Sequence, residues 1–222
     1  MVRKSARKNF DQLSDMDDMA TSTKKSRAKT EAHDGKRLEI IQACATLFDK
    51  VGYHHASMQM LADVVGLGKP TLYHYFHSKT AILYEMHQLH MDALAGGLKA
   101  HSEAKLPASE ALKRACADIL RQIAEHPGYV RAFMDYYNDL DSDMRKKIRQ
   151  RRQEYFLRVC EIIQQGIAAG EFLKCDVEMT AYAFLGMCNW AYKWYPPMCK
   201  SRPPEQTAET LCSVFIDGIR KV

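Results

Sequence analysis

Apolar residues recur at helical spacing from Asp34 to the end of the 222-residue chain, and this periodicity limits the fold more than any other feature. The first segment spaces its apolar residues at i, i+3, i+7 and i+10, as an amphipathic helix does: Leu38, Ile41, Ala45 and Phe48. Glycine and proline separate the later segments, and the sequence shows no alternating strand pattern bounded by turns. We therefore predict an all-α protein with about nine helices.

Residues 57–76 predict two short helices joined by a tight turn. Ser57 is a good N-cap for the segment "MQMLADVV", which Gly66 ends. Proline suits the first helical position and disfavours helical dihedrals in the residue before it, so the next helix is predicted to start at Pro70 with Lys69 as its cap. Two helices of this length around such a turn form a helix-turn-helix.

Longer helices are predicted to follow. Ser78 is expected to open a fourth helix, which loosens at Gly96–Gly97. The remaining helices are expected in five segments set apart by glycine, proline and aspartate: about 107–126, 128–140, 143–169, 176–195 and 204–220.

Composition and charge divide the chain into three regions. Residues 1–33 hold few large apolar side chains and are predicted to be a mobile tail, which either solubilises the protein or touches a phosphate backbone as a basic arm. Residues 34–80 form the predicted helix-turn-helix domain and residues 81–222 a larger helical domain. The first 80 residues contribute +4 of the net charge of +5, which favours an anionic partner at that end.

The third predicted helix has an outward face rich in rings that form hydrogen bonds. Leu72 and Phe76 lie at i and i+4, so both are predicted to face the core. The remaining positions then project outward: Thr71, Tyr73, His74 and Tyr75. Hydroxyl, phenol and imidazole groups next to lysines suit phosphate oxygens and the base edges of a DNA major groove.

Residues 52–83, "GYHHASMQMLADVVGLGKPTLYHYFHSKTAIL", resemble the DNA-binding region of TetR-type repressors. The resemblance covers about residues 35–83 and rests on elements that match in order: Gly52–Tyr53, Ser57, Leu61–Ala62, Val65–Gly66, Thr71–Leu72–Tyr73, Phe76 and Ser78–Lys79. It implies a homodimer whose two recognition helices enter successive major grooves of a palindromic double-stranded DNA operator. Carried over position by position, it implies these DNA contacts: Ser57, Lys69, Thr71, Tyr73, His74, Tyr75 and Lys79.

Two residues depart from the family pattern. Gly68 stands where a Ser or Thr cap is common, and Pro70 stands where a small residue is usual. Because proline donates no backbone N–H, any contact that relatives make through that amide is lost. The operator sequence of a relative therefore does not transfer to this chain.

The last two predicted helices resemble the pair that forms the four-helix dimer interface of this family. Small residues in "AYAFLGMCNWAYKWYPP" permit close helix approach, and the two tryptophans repeat at i and i+4. The predicted interface consists of Ala183, Gly186, Trp190, Trp194, Leu211, Phe215 and Ile219. Core packing and pocket lining are the alternatives for these residues.

A small-molecule inducer is expected between the helices of the larger domain. Methionine packs adaptably and tyrosine adds a polar group to an apolar wall. The candidate pocket residues, which core packing would explain equally well, are Met86, Met91, Phe133, Met134, Tyr137, Tyr155, Phe156 and Met187. The motif "NWAYKWYPP" also resembles regulators of fatty-acid, steroid and aromatic-acid breakdown, which makes an acyl-CoA thioester the candidate inducer. The basic run "RKKIRQRR" (145–152) is then either a solvated face or a surface that attracts the phosphates of coenzyme A.

Other classes of protein have weaker support in the sequence. No nucleophile elbow, Walker loop or dinucleotide-binding glycine motif is present, so no enzyme activity and no cofactor are predicted. His87 and His90 lack a clear third ligand, and no metal site is predicted. Seven cysteines without CxxC spacing and the lack of a long apolar run favour a reducing cytoplasm and no membrane association. The alternatives are a regulator of efflux or detoxification induced by an apolar drug-like ligand, and a ligand-binding helical protein that does not read DNA.

Overall fold

The computed structural model describes residues 31–220. Nine α-helices account for most of these residues, together with a 3₁₀ turn at Tyr137–Asp139. In chain order they are α1 (31–51), α2 (Met58–Val64), α3 (Lys69–Tyr75), α4 (Lys79–Glu103), α5 (Ala108–Glu125), α6 (Pro127–Asp135), α7 (Ser142–Ala168), α8 (Val177–Trp194) and α9 (Pro204–Ile219). Within residues 31–220 extended pairing is limited to one bridge, between Phe172 and Arg220. The predicted all-α class is confirmed.

The chain divides into two compact units between Ala43 and Cys44, within α1. The described part of the first unit, residues 31–43, is helical and buries Ile40 and Ile41. Every other helix lies in the second unit. Helix is already present at residue 31, three residues before the predicted helix start at Asp34. Residues 1–30, with the basic segment "TKKSRAKT", lie outside the described residues. The predicted domain boundaries at 33/34 and 80/81 remain predictions.

Local capping explains where α2 and α3 begin and end. Ser57 caps α2 as predicted, because its side chain accepts a hydrogen bond from the Met60 N–H at 3.2 Å. Gly66 ends the α2 segment with φ +66°, a conformation that favours glycine. The predicted cap of α3 is wrong by one residue: Gly68 is the N-cap, and Lys69 is the first helical residue with Pro70 behind it.

Helix α4 does not loosen at its glycine pair. It continues from Lys79 to Glu103, and a Cβ atom at Gly97 would clash with the Asp118 carboxylate of α5. That carboxylate also lies 2.7 Å from Nε2 of His101. The glycine therefore permits the Asp118 side chain of α5 to approach α4 closely. The predicted helix at 128–140, by contrast, ends early at Asp135 and continues as the 3₁₀ turn.

Helix α5 lies at the centre of the larger bundle, where α4, α6, α7, α8 and α9 all pack against it. Its apolar face is almost fully buried, with Leu112, Cys116 and Leu120 inaccessible to solvent. Among the described residues, no helix is both long and apolar enough to cross a bilayer. The packing leaves an open space between α4, α6, α7 and α8.

Candidate DNA-binding surface and ligand cavity

Helix α3 presents the outward face predicted from the sequence. Leu72 and Phe76 are buried, while Tyr73 is 44% exposed and His74 is exposed beside it. Among the other predicted DNA contacts, Ser57, Lys69 and Thr71 are exposed, whereas Tyr75 and Lys79 are half-buried. No acidic residue lies in the first turn of α3 or of α4. This surface therefore offers hydrogen-bond donors and positive charge, as binding to a phosphate backbone and base edges requires. His77, which the sequence prediction did not include, is exposed just beyond the end of α3.

The ammonium of Lys79 forms hydrogen bonds within the helix-turn-helix domain. Its Nζ donates hydrogen bonds to the carbonyl oxygens of Tyr53 at 2.8 Å and Ala56 at 2.9 Å. It also lies 4.3 Å from the centre of the Tyr53 ring, and burial lowers the pKa of Lys79. These contacts tie the start of α4 to the loop before α2, so Lys79 has a structural role whether or not it also contacts DNA.

We expect Lys79→Met to lower the free energy of unfolding by about 1.5–3 kcal/mol, because a charged donor with two carbonyl acceptors is lost. Lys69→Met, which removes an exposed charge from the same region, is the matched control, with an expected change within about 0.5 kcal/mol. Chemical denaturation followed by circular dichroism measures both changes. Equal stabilities of the two variants would contradict the structural role of Lys79.

Aromatic side chains connect the helix-turn-helix to α6. The Tyr53 ring is buried and lies 5.1 Å from the Phe48 ring and 5.4 Å from the Tyr136 ring, centre to centre. His54 adds an edge contact with Tyr136 at 5.7 Å, and its Nε2 is 3.6 Å from Oδ2 of Asp139. The end of α6 is therefore in direct contact with the loop that leads into α2.

A cavity of about 420 Å³ lies between α4, α6, α7 and α8. Most of its wall is apolar or aromatic: Met91, Leu94, Phe133, Met134, Tyr155, Phe156, Tyr182, Leu185 and Gly186. Its polar lining consists of Arg149, Arg152, Gln153 and Asn189. Both the volume and this mixture are typical of sites for small organic molecules.

Five of the eight predicted pocket residues line this cavity: Met91, Phe133, Met134, Tyr155 and Phe156. The other three do not. Met86 is fully buried in the core, Tyr137 stacks on Arg152 behind the wall, and Met187 is half-buried elsewhere on α8. The list of predicted pocket residues omits the polar lining, although one alternative for the basic run at 145–152 was attraction of ligand phosphates. Arg149, Arg152, Gln153 and Phe156 share one face of α7 at i, i+3, i+4 and i+7.

The six cations of the basic run at 145–152 have different neighbours in the structure. Arg151 pairs with Asp92 at 2.5 Å, and Arg145 donates to the Asn138 carbonyl at 3.5 Å. Lys146 and Lys147 are exposed, whereas Arg149 and Arg152 line the cavity. The cations of this run therefore do not all face solvent.

His87 and His90 lie in the core behind the cavity. Both side chains are almost fully buried against Phe133, with ring centres 5.2 and 4.5 Å from the Phe133 ring. Burial, together with the nearby positive charge of Arg152, lowers the pKa of His87 to about 3 and of His90 to about 4. Residues 31–220 hold no group of three or more His, Cys, Asp or Glu side chains placed to bind a metal ion.

Because His87 and His90 are neutral in the folded protein, we expect the protein to lose stability in acid. Their folded pKa values lie below the ordinary value near 6.5, so the unfolded chain binds more protons, and stability is lost as pH falls below about 6.5. Between pH 7 and pH 5 we expect a loss of about 1–2 kcal/mol for each histidine. Denaturation of His90→Leu at both pH values should show a smaller difference than wild type, with the exposed His77→Gln as control. An identical difference in the wild type and His90→Leu would show that His90 has no part in this sensitivity.

Helices α8 and α9 expose large apolar side chains. Trp190 is 62% exposed and Val214 76% exposed, and Met179 and Tyr182 are also exposed on α8. Of the predicted dimer-interface residues, Ala183, Gly186 and Trp190 are exposed, while Trp194, Leu211, Phe215 and Ile219 are half-buried. Gly186 also lines the cavity. An apolar surface of this kind is typical of a face that a partner covers.

Family models match two regions of the chain. The family model of bacterial regulatory proteins of the tetR family matches residues 40–86, and that of the tetracyclin repressor-like C-terminal domain matches residues 105–219. The HTH-type transcriptional repressor KstR2 of Rhodococcus jostii is 25% identical over 193 residues, which cover 86% of this chain and 94% of that protein.

Solved structures show the same fold. The TetR family regulator PfmR of Thermus thermophilus has a TM-score of 0.75 and 29% identity, with 82% of this chain and 99% of that chain covered. AibR in complex with isovaleryl coenzyme A and operator DNA has a TM-score of 0.70 and 22% identity, with 83% and 98% covered. With a C-terminal match that spans more than half of its residues and an N-terminal match on the helix-turn-helix, the chain belongs to the tetR family of bacterial regulatory proteins and is a DNA-binding transcriptional regulator.

Proposed function

We propose that this protein is a cytoplasmic, homodimeric repressor that leaves a palindromic operator when a small molecule binds in the cavity between α4, α6, α7 and α8. The observation that carries the proposal is the face of α3, where buried Leu72 and Phe76 hold Tyr73 and His74 outward. A helix so short has few positions, and those not used in the core are available to contact a DNA groove.

Dimerisation places two such helices on one DNA molecule. Major grooves on one face of a duplex recur about every 34 Å, so a two-fold dimer matches two half-sites of a palindrome. The exposed Trp190 and the apolar surface of α8 and α9 support these helices as the interface. In this arrangement operator affinity depends on the spacing between the two copies of α3.

An acyl-CoA thioester is the ligand class that we propose. The AibR structure holds isovaleryl coenzyme A together with operator DNA, and KstR2 of Mycobacterium tuberculosis is described as a ketosteroid transcriptional regulator. The largely apolar cavity here suits an acyl chain, and Arg149 and Arg152 suit the negative charge of coenzyme A.

Helix α6 is the proposed connection between cavity and DNA. Phe133 lines the cavity, and Tyr136, three residues later, contacts Tyr53 and His54 of the helix-turn-helix. A ligand that shifts α6 would therefore displace the loop before α2, and with it α3.

The test is displacement of the protein from a duplex that it has itself selected from randomised DNA. Fluorescence anisotropy follows the complex during titration with acyl-CoA thioesters of increasing chain length, and coenzyme A alone serves as control. We expect at least one thioester to lower operator affinity by about 10-fold or more, within the usual range of allosteric coupling. Specific duplex binding that no thioester changes would refute thioester induction, and failure to select any DNA sequence would refute the repressor itself.

A further inference from the structure

The charged groups in the wall of the cavity all have one sign. Arg149 and Arg152 contribute two positive charges, and no Asp or Glu of the described residues lines the cavity. Arg149 is exposed and Arg152, one helical turn further along α7, is half-buried. The cavity therefore combines an apolar wall with a positive edge.

Arg152 is held in place without a carboxylate partner. Its guanidinium carbon lies 3.9 Å from the centre of the Phe133 ring and 4.4 Å from that of Tyr137, and Nη2 donates to the Phe133 carbonyl at 2.6 Å. Its Nε is buried with no hydrogen-bond partner among the described residues. A partly buried cation that has no carboxylate partner and one unsatisfied buried donor lowers stability, and an anionic ligand would offset that cost.

Tyr155 provides a second unpaired donor on the same helix. It lines the cavity three residues after Arg152, and its side chain is 7% exposed. Its hydroxyl is buried, and the described residues supply no hydrogen-bond partner for it. A buried hydroxyl without a partner also lowers stability, unless a ligand accepts its hydrogen bond.

We infer that the cavity binds an amphipathic organic anion, with its acidic oxygens at Arg152 and Tyr155, its approach favoured by Arg149, and its apolar part against Met91, Leu94 and Phe156. This inference rests on the proposed role of the cavity as the ligand site, and it adds the chemistry of recognition. Two sources supply such a ligand: the carboxylate of a free acid, and the phosphates of an acyl-CoA thioester. The planar fork of arginine suits the oxygens of either group.

The experiment compares three eight-carbon probes by isothermal titration calorimetry with the full chain: octanoate, octanoyl-CoA and uncharged 1-octanol. We expect at least one anion to bind about 10-fold or more tightly than 1-octanol, because a charged hydrogen bond is added to the same apolar chain. Tight binding of octanoate identifies the free-acid source, whereas tight binding of octanoyl-CoA alone identifies the thioester.

Three variants test the assigned residues. Arg152→Met should weaken binding of the anion by about 10- to 100-fold and leave 1-octanol unaffected. Tyr155→Phe should weaken it by about threefold to tenfold without loss of stability, since only an unpaired hydroxyl is removed. Lys147→Met, which removes an exposed cation of α7 outside the cavity, is the charge-matched control and should bind like wild type. Because Tyr155→Phe keeps the ring in place, it tests the site even if Arg152→Met does not fold.

Three results would overturn the inference. The first is that 1-octanol binds as tightly as both anions, and the second is that Tyr155→Phe and Arg152→Met both bind the anion like wild type. The third is that neither anion binds at about 1 mM. Operator release measured on the same samples separates this outcome from the proposed function. Release by uncharged ligands alone would leave the ligand-responsive repressor in place without the anion site. Anion binding that never alters DNA affinity would support the site and refute the ligand response.

Discussion

Replacement of both Tyr73 and His74 by alanine is expected to weaken specific operator binding by at least about 100-fold, with the fold unchanged. Each base-edge contact is worth about 1–3 kcal/mol, so the loss of two contacts corresponds to about 2–6 kcal/mol of specific binding free energy. Stability should be retained because the core of α3 depends on Leu72 and Phe76, which are buried, and not on the exposed Tyr73.

Fluorescence anisotropy with the selected duplex and with an unrelated duplex, over a series of salt concentrations, measures this effect. The double variant should lose specific binding and keep the weaker sequence-independent binding, since the lysines remain. Lys69→Ala should instead weaken both kinds of binding and reduce the salt slope by about one. Leu157→Ala, at an exposed position on α7, is the control for loss of a large surface side chain. Specific binding by a folded double variant at wild-type affinity would remove α3 from the role of recognition helix.

The second large effect is expected from Trp190→Glu, which should convert the proposed dimer to a monomer. Tryptophan at the centre of an interface contributes about 2–4 kcal/mol, and a two-fold axis places the substitution in the interface twice. The dimer dissociation constant should therefore rise by about 1000-fold or more. Binding to a palindromic operator should fall with it, because each monomer then meets only one half-site.

Sedimentation equilibrium over a range of protein concentrations measures the dimer constant directly. Leu157→Glu places the same charge at another exposed apolar residue, on α7 and outside the predicted interface, and should leave the dimer intact. If Trp190→Glu dimerises like wild type, the exposed surface of α8 has another role, and the dimer interface must be sought elsewhere.

Much of the local structure around the candidate DNA-binding surface could be predicted, because it depends on residues close together in the sequence. The Ser57 cap and the left-handed Gly66 depend on residues within a few positions, and the inward register of Leu72 and Phe76 follows from helical geometry. The cap of α3 was misplaced by one residue, since the restriction that Pro70 imposes on Lys69 is a preference that the fold overrides.

The cavity could be predicted only in part. Aromatic and methionine side chains at helical spacing mark apolar faces, and five of the eight named residues do line it. Met86 could not be told apart from Met91, because both lie on the apolar side of α4 and only the neighbouring helices decide which one meets open space. Lys79 is a similar case: its position suggests a phosphate contact, yet its ammonium meets two carbonyl oxygens that the fold brings to it.

The order of the helices, the Ser57 cap of α2 and the inward side of α3 were determined by the amino-acid sequence, because hydrogen bonding and side-chain spacing act within one or two helical turns. Which arginines of the run at 145–152 reach the cavity, and which pair with acids or stay in water, was decided only by tertiary structure. Six cations on one helix have the same local preferences. The packing of α4, α6 and α8 around α7 gives each of them a different neighbour.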